Sequence, residues 1–197
     1  MKNNINEKTM KQLTYIAVVV AVVTAMIGCG NKRTASSEEQ KDTVITEQTD
    51  TAIYGVVGEN TSMHVLELLT EDGKVMTFAV SQDSCSDVQG GIFAGDRVTL
   101  TTRKGSGDEM EVVKLVNLTS LLGKWTSLDR NFEIQEDGGI VSAVTAESHP
   151  YTHWTVANGN LILNADTFEV LLLGPDSMTI ENDKGIYVYK RQTASKP

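Results

Sequence analysis

LLGKWTSLDRNFEIQEDGG, residues 121–139, is the stretch that decides the fold of this chain. It holds two short apolar runs and ends at Asp137-Gly138-Gly139, residues that favour a tight hairpin turn. Eight strands are predicted, around Trp125 and at 131–135, 140–145, 151–156, 161–164, 167–173, 177–181 and 186–190. Antiparallel strands joined by tight turns are most simply an up-and-down barrel, because closure removes the exposed strand edges.

The residues before this block also predict short strands. The candidates are Ile53-Val57, Met63-Leu69, Val75-Val80, Arg97-Thr102 and Met110-Leu118. Asp72-Gly73 predicts a type I′ hairpin, because both residues tolerate a positive φ. Alternation assigns two sets of side chains to one core: His64, Leu66 and Leu68, and Met76, Phe78 and Val80.

The expected fold class is all-β. Short strands at 52–118 fit a small OB-like barrel, although an open meander has the same signature. A compact eight-stranded up-and-down barrel is expected at 119–192, followed by a tail at 193–197.

Gly123-x-Trp125 on the first strand of the second block resembles the lipocalin-like domains found in lipoproteins of anaerobic Gram-negative bacteria. In that family the Trp closes the barrel floor and a basic residue from the end of the domain packs over it. The resemblance therefore implies that Lys190 or Arg191 packs over Trp125.

The first block is similar to the small domain that is fused ahead of the barrel in such lipoproteins. The resemblance rests on Phe78 and on residues 61–65, 72–74 and 90–98. Together the two resemblances cover residues 53–191 and imply an architecture more than an activity.

The beginning of the chain resembles a lipoprotein signal. Residues 1–11 carry three lysines, and the apolar run Ile16-Ile27 is twelve residues long. A hydrocarbon core of ~30 Å needs ~20 apolar residues in a helix, so this run is too short to span it. Met26-Ile27-Gly28-Cys29 resembles a lipobox, although Met26 stands where Leu is usual. The resemblance implies a signal peptide at 1–28 and permanent anchorage through acyl chains on Cys29, with an ordinary cleaved signal as the alternative.

Residues 29–51 are expected to form a disordered tether after the lipidated cysteine. Val44 and Ile45 are the only large apolar residues from Gly30 to Asp50, so the segment buries too little surface to offset its ordering entropy. Asp-Thr-Val at 42–44 and Asp-Thr-Ala at 50–52 resemble an O-glycosylation acceptor pattern of some of these bacteria. This resemblance implies sugar on Thr43 or Thr51.

The net charge and the cysteine content exclude one class of partner and one kind of cross-link. The chain carries a formal charge of −9, and without residues 1–28 it keeps 14 basic and 25 acidic side chains, a net charge of −11. Such a polyanion repels phosphate, so nucleic acid is not an expected partner. Cys29 and Cys85 are the only cysteines, and no disulfide is expected because Cys29 is assigned to the lipid.

The expected barrel interior allows two interpretations. Trp125, Trp154 and Phe168 are candidate ligand-binding residues if the barrel encloses a small hydrophobic molecule, as lipocalins do. Strands of about five residues make a barrel only ~13 Å tall, which favours an interior filled by its own side chains. The residues expected to fill it are Trp154, Ile162, Phe168, Val170, Leu172 and Ile180.

The strand at 167–173 is apolar on both faces near its end. Leu171 and Leu173 lie opposite the residues expected to fill the barrel, so something must cover them. We expect packing against the first domain, and the alternative is an exposed patch for a partner protein.

No catalytic residue, metal or cofactor is expected. The sequence has no Gly-rich phosphate loop, no Gly-x-Ser-x-Gly and no His-Glu-x-x-His motif. His149 and His153 share a face of a predicted strand but lie ~13 Å apart, too far to bind one metal ion. An enzymatic alternative requires His153, Tyr151 and Asp166 to meet in a cleft.

The sequence therefore predicts a non-enzymatic lipoprotein of the cell envelope. We expect it to be exported and lipid-anchored to the outer membrane, on the periplasmic or the surface face, and to act as an interaction or structural module. Its expected partners are the membrane and an envelope protein. The alternative function is binding or carriage of a small hydrophobic ligand in the second barrel.

Overall fold

The computed structural model describes residues 49–81, 86–143 and 148–192. Within these ranges the chain is almost entirely β-strand, arranged in two sheets. The strands of the first sheet are β1 (Ile53–Val57), β2 (Val65–Thr70), β3 (Val75–Ala79), β4 (Asp87–Gln89), β5 (Arg97–Lys104) and β6 (Met110–Asn117). The predicted signal, Cys29, Thr43, Cys85 and the tail at 193–197 lie outside the described residues.

The first sheet closes on itself. Its strand order is β3-β2-β1-β5-β6-β4, and a parallel pairing of Ala79 with Glu111 joins β3 to β6. All the other pairings between neighbouring strands are antiparallel except that of β4 with β6. The buried side chains inside are Val57, Leu66, Leu68, Phe78, Val80, Val98, Leu100, Val112 and Leu115.

Two of the side chains assigned to this core are placed differently. Leu66, Leu68, Phe78 and Val80 are buried as expected, but His64 is exposed and Met76 is 37% exposed. Both residues line an open groove of about 630 Å³ beside the core. The prediction for them is wrong because alternation gives the face of a side chain but not how far the covering layer extends.

A single helical turn, α1 (Leu118–Leu121), joins the two sheets. Asn117 begins it as N-cap, and its side-chain oxygen accepts from the Ser120 N–H at 2.9 Å. The Asn117 amide donates to the Asp96 carboxylate at 2.6 Å and to the Gly91 carbonyl at 3.1 Å. A fully buried polar side chain is thereby satisfied on both its donor and its acceptor side.

The second sheet is an antiparallel meander of eight strands that forms a nearly closed barrel. Its strands are β7 (Gly123–Thr126), β8 (Asn131–Ile134), β9 (Ile140–Ser142), β10 (Trp154–Ala157), β11 (Asn160–Leu163), β12 (Asp166–Leu173), β13 (Ser177–Asn182) and β14 (Gly185–Arg191). β14 returns to pair with β7, and a bridge between Gly139 and His153 links the β9 and β10 sides. The predicted all-β fold with an eight-stranded up-and-down barrel is confirmed.

The turn at Asp72-Gly73 differs from the predicted type I′ hairpin. Only Gly73 has a positive φ, at 80°, and its N–H donates to the Thr70 carbonyl at 2.9 Å. The type I′ prediction is therefore wrong there. Asn158 and Gly159 do both have positive φ, 49° and 76°, which is the combination that a type I′ turn requires.

A β-bulge changes the side-chain order of β12. Val170 pairs with Ile180 but Leu172 pairs with Thr179, because the register shifts between Val170 and Leu172. Leu172 is therefore 49% exposed and Leu173 only 5%, the reverse of the prediction. Ile162 was also expected inside, but its neighbours Leu161 and Leu163 occupy the buried face of β11 instead.

The two sheets contact each other through β4 and β12. The Gln89 side chain accepts from the Leu173 N–H at 2.8 Å, and the Gly90 N–H donates to the Leu173 carbonyl at 3.0 Å. Lys114 Nζ lies 3.3 Å from Asp87 and 3.6 Å from Glu169, which joins the two sheets by charge. The end of β12 therefore contacts the first domain through its backbone, whereas the Leu173 side chain lies in the barrel core and Leu171, which was also expected to be covered, is 38% exposed.

The last residues of the predicted tether are ordered. Asp50 accepts from the Asn158 N–H at 3.0 Å, and Thr51 N–H donates to the Asn158 side-chain oxygen at 2.9 Å. The Tyr54 hydroxyl contacts the Asp50 carboxylate and lies 2.6 Å from the Val156 carbonyl oxygen. The start of the first sheet is therefore bound to the β10–β11 turn of the barrel.

Within residues 49–81, 86–143 and 148–192, no helix has the length and apolar character needed to cross a bilayer.

Candidate functional site

The barrel interior is packed with its own side chains. A continuous core contains the buried residues Val116, Leu121, Trp125, Phe132, Ile134, Ile140, Tyr151, Val156, Leu161, Leu163, Phe168, Val170, Leu173, Met178, Ile180 and Tyr189. Its aromatic rings meet edge to face, with Phe132 5.1 Å from Tyr189 and 5.6 Å from Tyr151 between ring centroids. Such pairs stabilise a core beyond the area that they bury.

Trp125 and Arg191 form the floor of the barrel. The fully buried Trp125 donates its indole N–H to the Leu121 carbonyl at 2.8 Å. Arg191 lies over the indole ring, with its guanidinium carbon 4.1 Å from the ring centroid. Of the two basic residues that the sequence offered for this position, the structure uses Arg191.

Tyr151 covers the core near the loops at the other ends of the strands. It is 6% exposed, and the Arg130 guanidinium carbon lies 4.2 Å from its ring centroid. Burial raises the pKa of the Tyr151 and Tyr189 hydroxyls, so both stay protonated at neutral pH. The residues that would line a ligand pocket in an open barrel thus form a sealed aromatic core.

Four cavities among the described residues lie outside this core. One is the groove beside the first sheet, and the others are spaces of about 400, 250 and 140 Å³. These three share Arg97 and Leu118 among their lining residues. The two larger ones also share Trp154 and Glu136, so they lie between the first sheet and the barrel; we call these two the inter-sheet cleft.

The three candidate ligand residues do not line one pocket. Trp125 lies in the floor and Phe168, 1% exposed, lies inside the core. Trp154 is half-buried and faces the inter-sheet cleft. Of the two candidate glycosylation residues, Thr51 is exposed and its hydroxyl donates to Asn158 at 3.2 Å, while Thr43 lies outside the described residues.

The residues required by the enzymatic alternative do not share a cleft. Tyr151 is buried in the core, His153 is exposed, and the Asp166 carboxylate binds Lys184 Nζ at 2.7 Å. None of them lines any of the four cavities. Among the residues that the structure describes, no group of three or more His, Cys, Asp or Glu side chains is placed to hold a metal ion.

Sequence reasoning missed the residues of the inter-sheet cleft. Arg97 and Glu136 are separated by a large span of sequence and lie in different sheets. Tyr54 was predicted only as part of a strand, although its hydroxyl joins the sheets. No local pattern reveals such a site, because only the packing of the two sheets brings its parts together.

Comparison with known proteins agrees with the barrel geometry. The second sheet is a nearly closed eight-stranded barrel in which Arg191 lies over Trp125. The model of a family described as lipocalin-like matches residues 117–192, which are the strands of the barrel together with α1. No curated protein and no solved structure matches the chain.

Proposed function

We propose that this protein is a non-enzymatic lipoprotein of the bacterial cell envelope that acts through the outer surfaces of its two β domains. The observation that carries the proposal is the filled barrel: the interior is a continuous core of its own side chains, and the cavities found lie outside it. A barrel whose interior is filled by its own side chains offers its outside for recognition. Its role is then that of an interaction module held at a membrane.

The first sheet is proposed to be an OB-like barrel. Following the pairings gives the circular order β1-β2-β3-β6-β5, closed by the parallel contact between β3 and β6. A five-stranded barrel of this kind has the size expected for an OB-like fold. Its attachment to the second barrel through Gln89 and Lys114 supports one binding body rather than two independent ones.

Anchorage is proposed through acyl chains on Cys29, to the outer membrane. The support is the sequence Met26-Ile27-Gly28-Cys29 after a short apolar run with lysines before it. Metabolic labelling with radioactive palmitate tests it. We expect label on the wild type and on Cys85→Ser, and none on Cys29→Ser; an unlabelled wild type overturns the anchor.

The proposed surface for a partner protein lies on the outer side of β12, β13 and β14. Leu171, Leu172, Ile186 and Val188 are 38%, 49%, 61% and 56% exposed. Thr179 pairs with both Leu172 and Val188, so these side chains form a continuous row across three strands. Exposed apolar patches of this kind mark interaction sites more often than isolated apolar residues do.

Site-specific photocrosslinking in native membranes tests this surface. A photoreactive residue at Val188 is expected to give a discrete crosslinked product, and one at the fully exposed Leu128 is the matched control. The same product from both positions, or none from Val188, contradicts the proposal.

Carriage of a small hydrophobic ligand is the second candidate, and the lipocalin-like family match favours it. It requires the aromatic core around Phe168 and Tyr151 to open. Mass spectrometry of organic extracts of the natively purified protein distinguishes ligand carriage from an interaction module with a filled barrel. A stoichiometric lipophile that raises the melting temperature supports carriage, and its absence supports the filled barrel.

A further inference from the structure

The inter-sheet cleft has a fixed aromatic wall. The Trp154 indole N–H donates to the Gln135 carbonyl at 2.7 Å, and its backbone N–H donates to the Gly138 carbonyl at 2.9 Å. These bonds hold the half-buried ring against the turn that carries Glu136. A flat apolar surface is thereby presented to the cleft without further ordering, which lowers the entropic cost of binding.

Three charged side chains that line the same cleft, one positive and two negative, have no hydrogen-bonding or ion-pair partner among the described residues. Arg97, Glu71 and Glu136 are exposed, and among the described residues their side chains make no hydrogen bond or ion pair. Asp50 differs, because its carboxylate is already occupied by Tyr54 and by backbone N–H groups. Free donors therefore come from a guanidinium and free acceptors from two carboxylates.

The composition of the cleft excludes several ligand classes. An anion would meet the carboxylates of Asp50, Glu71, Glu136 and Asp137 against the single guanidinium of Arg97. A wholly apolar ligand would strip water from these charges without replacing the hydrogen bonds. A metal ion would meet the Arg97 guanidinium there, and among the described residues no group of three or more His, Cys, Asp or Glu side chains is placed to hold one.

We infer that the inter-sheet cleft binds a neutral carbohydrate. One face of a pyranose ring presents polarised C–H groups that an indole face attracts, and its hydroxyls both donate and accept hydrogen bonds. Trp154 provides the stacking surface, Glu71 and Glu136 accept from hydroxyls, and Arg97 donates to them. The largest space, about 400 Å³, falls within the size range of small-molecule sites.

This inference goes beyond the proposed function, because it needs neither the lipid anchor nor the surface on β12–β14. Its residues are also absent from that surface. The outcomes of the carbohydrate experiment are therefore separate from those of palmitate labelling and of crosslinking at Val188.

The test uses the full chain in detergent and five neutral hexasaccharides, built of glucose in α-1,4 or β-1,4 linkage, xylose, mannose or N-acetylglucosamine. Binding is followed by calorimetry and by tryptophan fluorescence. Trp125 and Trp154 are the only tryptophans, and Trp125 is fully buried, so a change in emission reports on Trp154. At least one hexasaccharide is expected to bind with a Kd below ~1 mM.

Variants identify the binding residues. Trp154→Ala and Arg97→Gln are each expected to weaken binding roughly tenfold, the equivalent of one good charge-assisted or stacking contact. Trp154→Phe keeps a stacking ring and is expected to bind within a few-fold of wild type, so it separates loss of the platform from loss of the fold. Lys190→Gln makes the same change of charge at an exposed position outside the cleft and is expected to bind as wild type does.

Four results overturn the inference. The first three are the absence of heat and of fluorescence change with all five sugars, wild-type affinity in both Trp154→Ala and Arg97→Gln, and displacement of a bound hexasaccharide by palmitate, inorganic phosphate or the zwitterionic dipeptide Ala-Ala. Equal losses in Trp154→Ala and in the Lys190→Gln control also overturn it.

Discussion

The guanidinium carbon of Arg191 lies 4.1 Å from the centroid of the Trp125 indole, near the end of the last strand and over the start of the barrel's first strand. The same side chain donates to the carbonyls of Pro175, Leu122 and Ser120, each at 2.6 Å. One residue thus joins the two ends of the barrel and the link from the first sheet.

Arg191→Ala is expected to lower the free energy of unfolding by about 2–3 kcal/mol, because it removes a cation–π contact and leaves three carbonyls without their charged donor. Arg191→Lys keeps the charge but not the forked arrangement of donors, so its free energy of unfolding should lie between those of the wild type and of Arg191→Ala. Urea unfolding followed by the emission of Trp125 measures both. The neighbouring Lys190→Ala is the control, and an equal loss there contradicts the assignment.

Gly90 is expected to tolerate no side chain. Its φ is +91°, and an added Cβ would lie 2.7 Å from Asn117 Cβ and 3.0 Å from Leu173 Cδ2. Gly95 has a similar φ, +89°, with nothing within 4 Å of such a Cβ. Gly95→Ala should therefore cost about 1 kcal/mol for backbone strain, and Gly90→Ala about 3 kcal/mol because the contact between the sheets is also forced apart. Thermal melting compares them, and equal losses would refute the steric argument.

Phe168 is expected to be a core residue of the filled barrel. Phe168→Ala should cost about 3–5 kcal/mol and leave a cavity among the aromatic rings. Leu172→Ala, on the outer side of the bulge in the same strand, should cost less than about 1 kcal/mol. Guanidinium unfolding gives both values. If the cavity forms, benzene raises the melting temperature of Phe168→Ala only.

Tyr54 is expected to make stability depend on alkaline pH. Burial, followed by the hydrogen bond to Asp50, raises the pKa of the Tyr54 hydroxyl to about 12. Because its pKa in the unfolded chain is ~10, the phenol stabilises the fold fully below pH ~10 and loses this effect as the pH rises towards 12. The difference in unfolding free energy between wild type and Tyr54→Phe should therefore shrink over that interval. A difference that grows with pH would contradict the direction of the shift.

Local sequence patterns predicted most of the strands, because a hairpin is fixed by its turn and its alternation. Ile53–Val57 was predicted to the residue, and Asp137-Gly138-Gly139, predicted as a hairpin turn, does lie between the paired strands β8 and β9. Leu172 was assigned to the wrong face, because a bulge adds one residue without any signature of its own in the alternation.

The site was harder to predict than the fold. Trp154 was identified as a ligand residue, but it was assigned to the barrel interior rather than to the space between the sheets. Arg97 received no role, since only the tertiary packing of β5 against the barrel places it opposite Glu136. The short elements β4 and α1 were not predicted for a related reason. Three or four residues are too few to show a periodic pattern of apolar side chains, and tertiary contacts stabilise these elements instead.

The bonds between Asp50, Thr51 and Asn158 govern how mechanical load enters the body. Because of these bonds, tension applied to the backbone at Thr49 is expected to load both the first strand and the β10–β11 turn. The contacts of Tyr54 with Val156 and of Lys114 with Glu169 join the same two sheets and would bear part of this load. We therefore expect the two sheets to unfold together when the chain is pulled from Thr49, which force spectroscopy would show as one unfolding step.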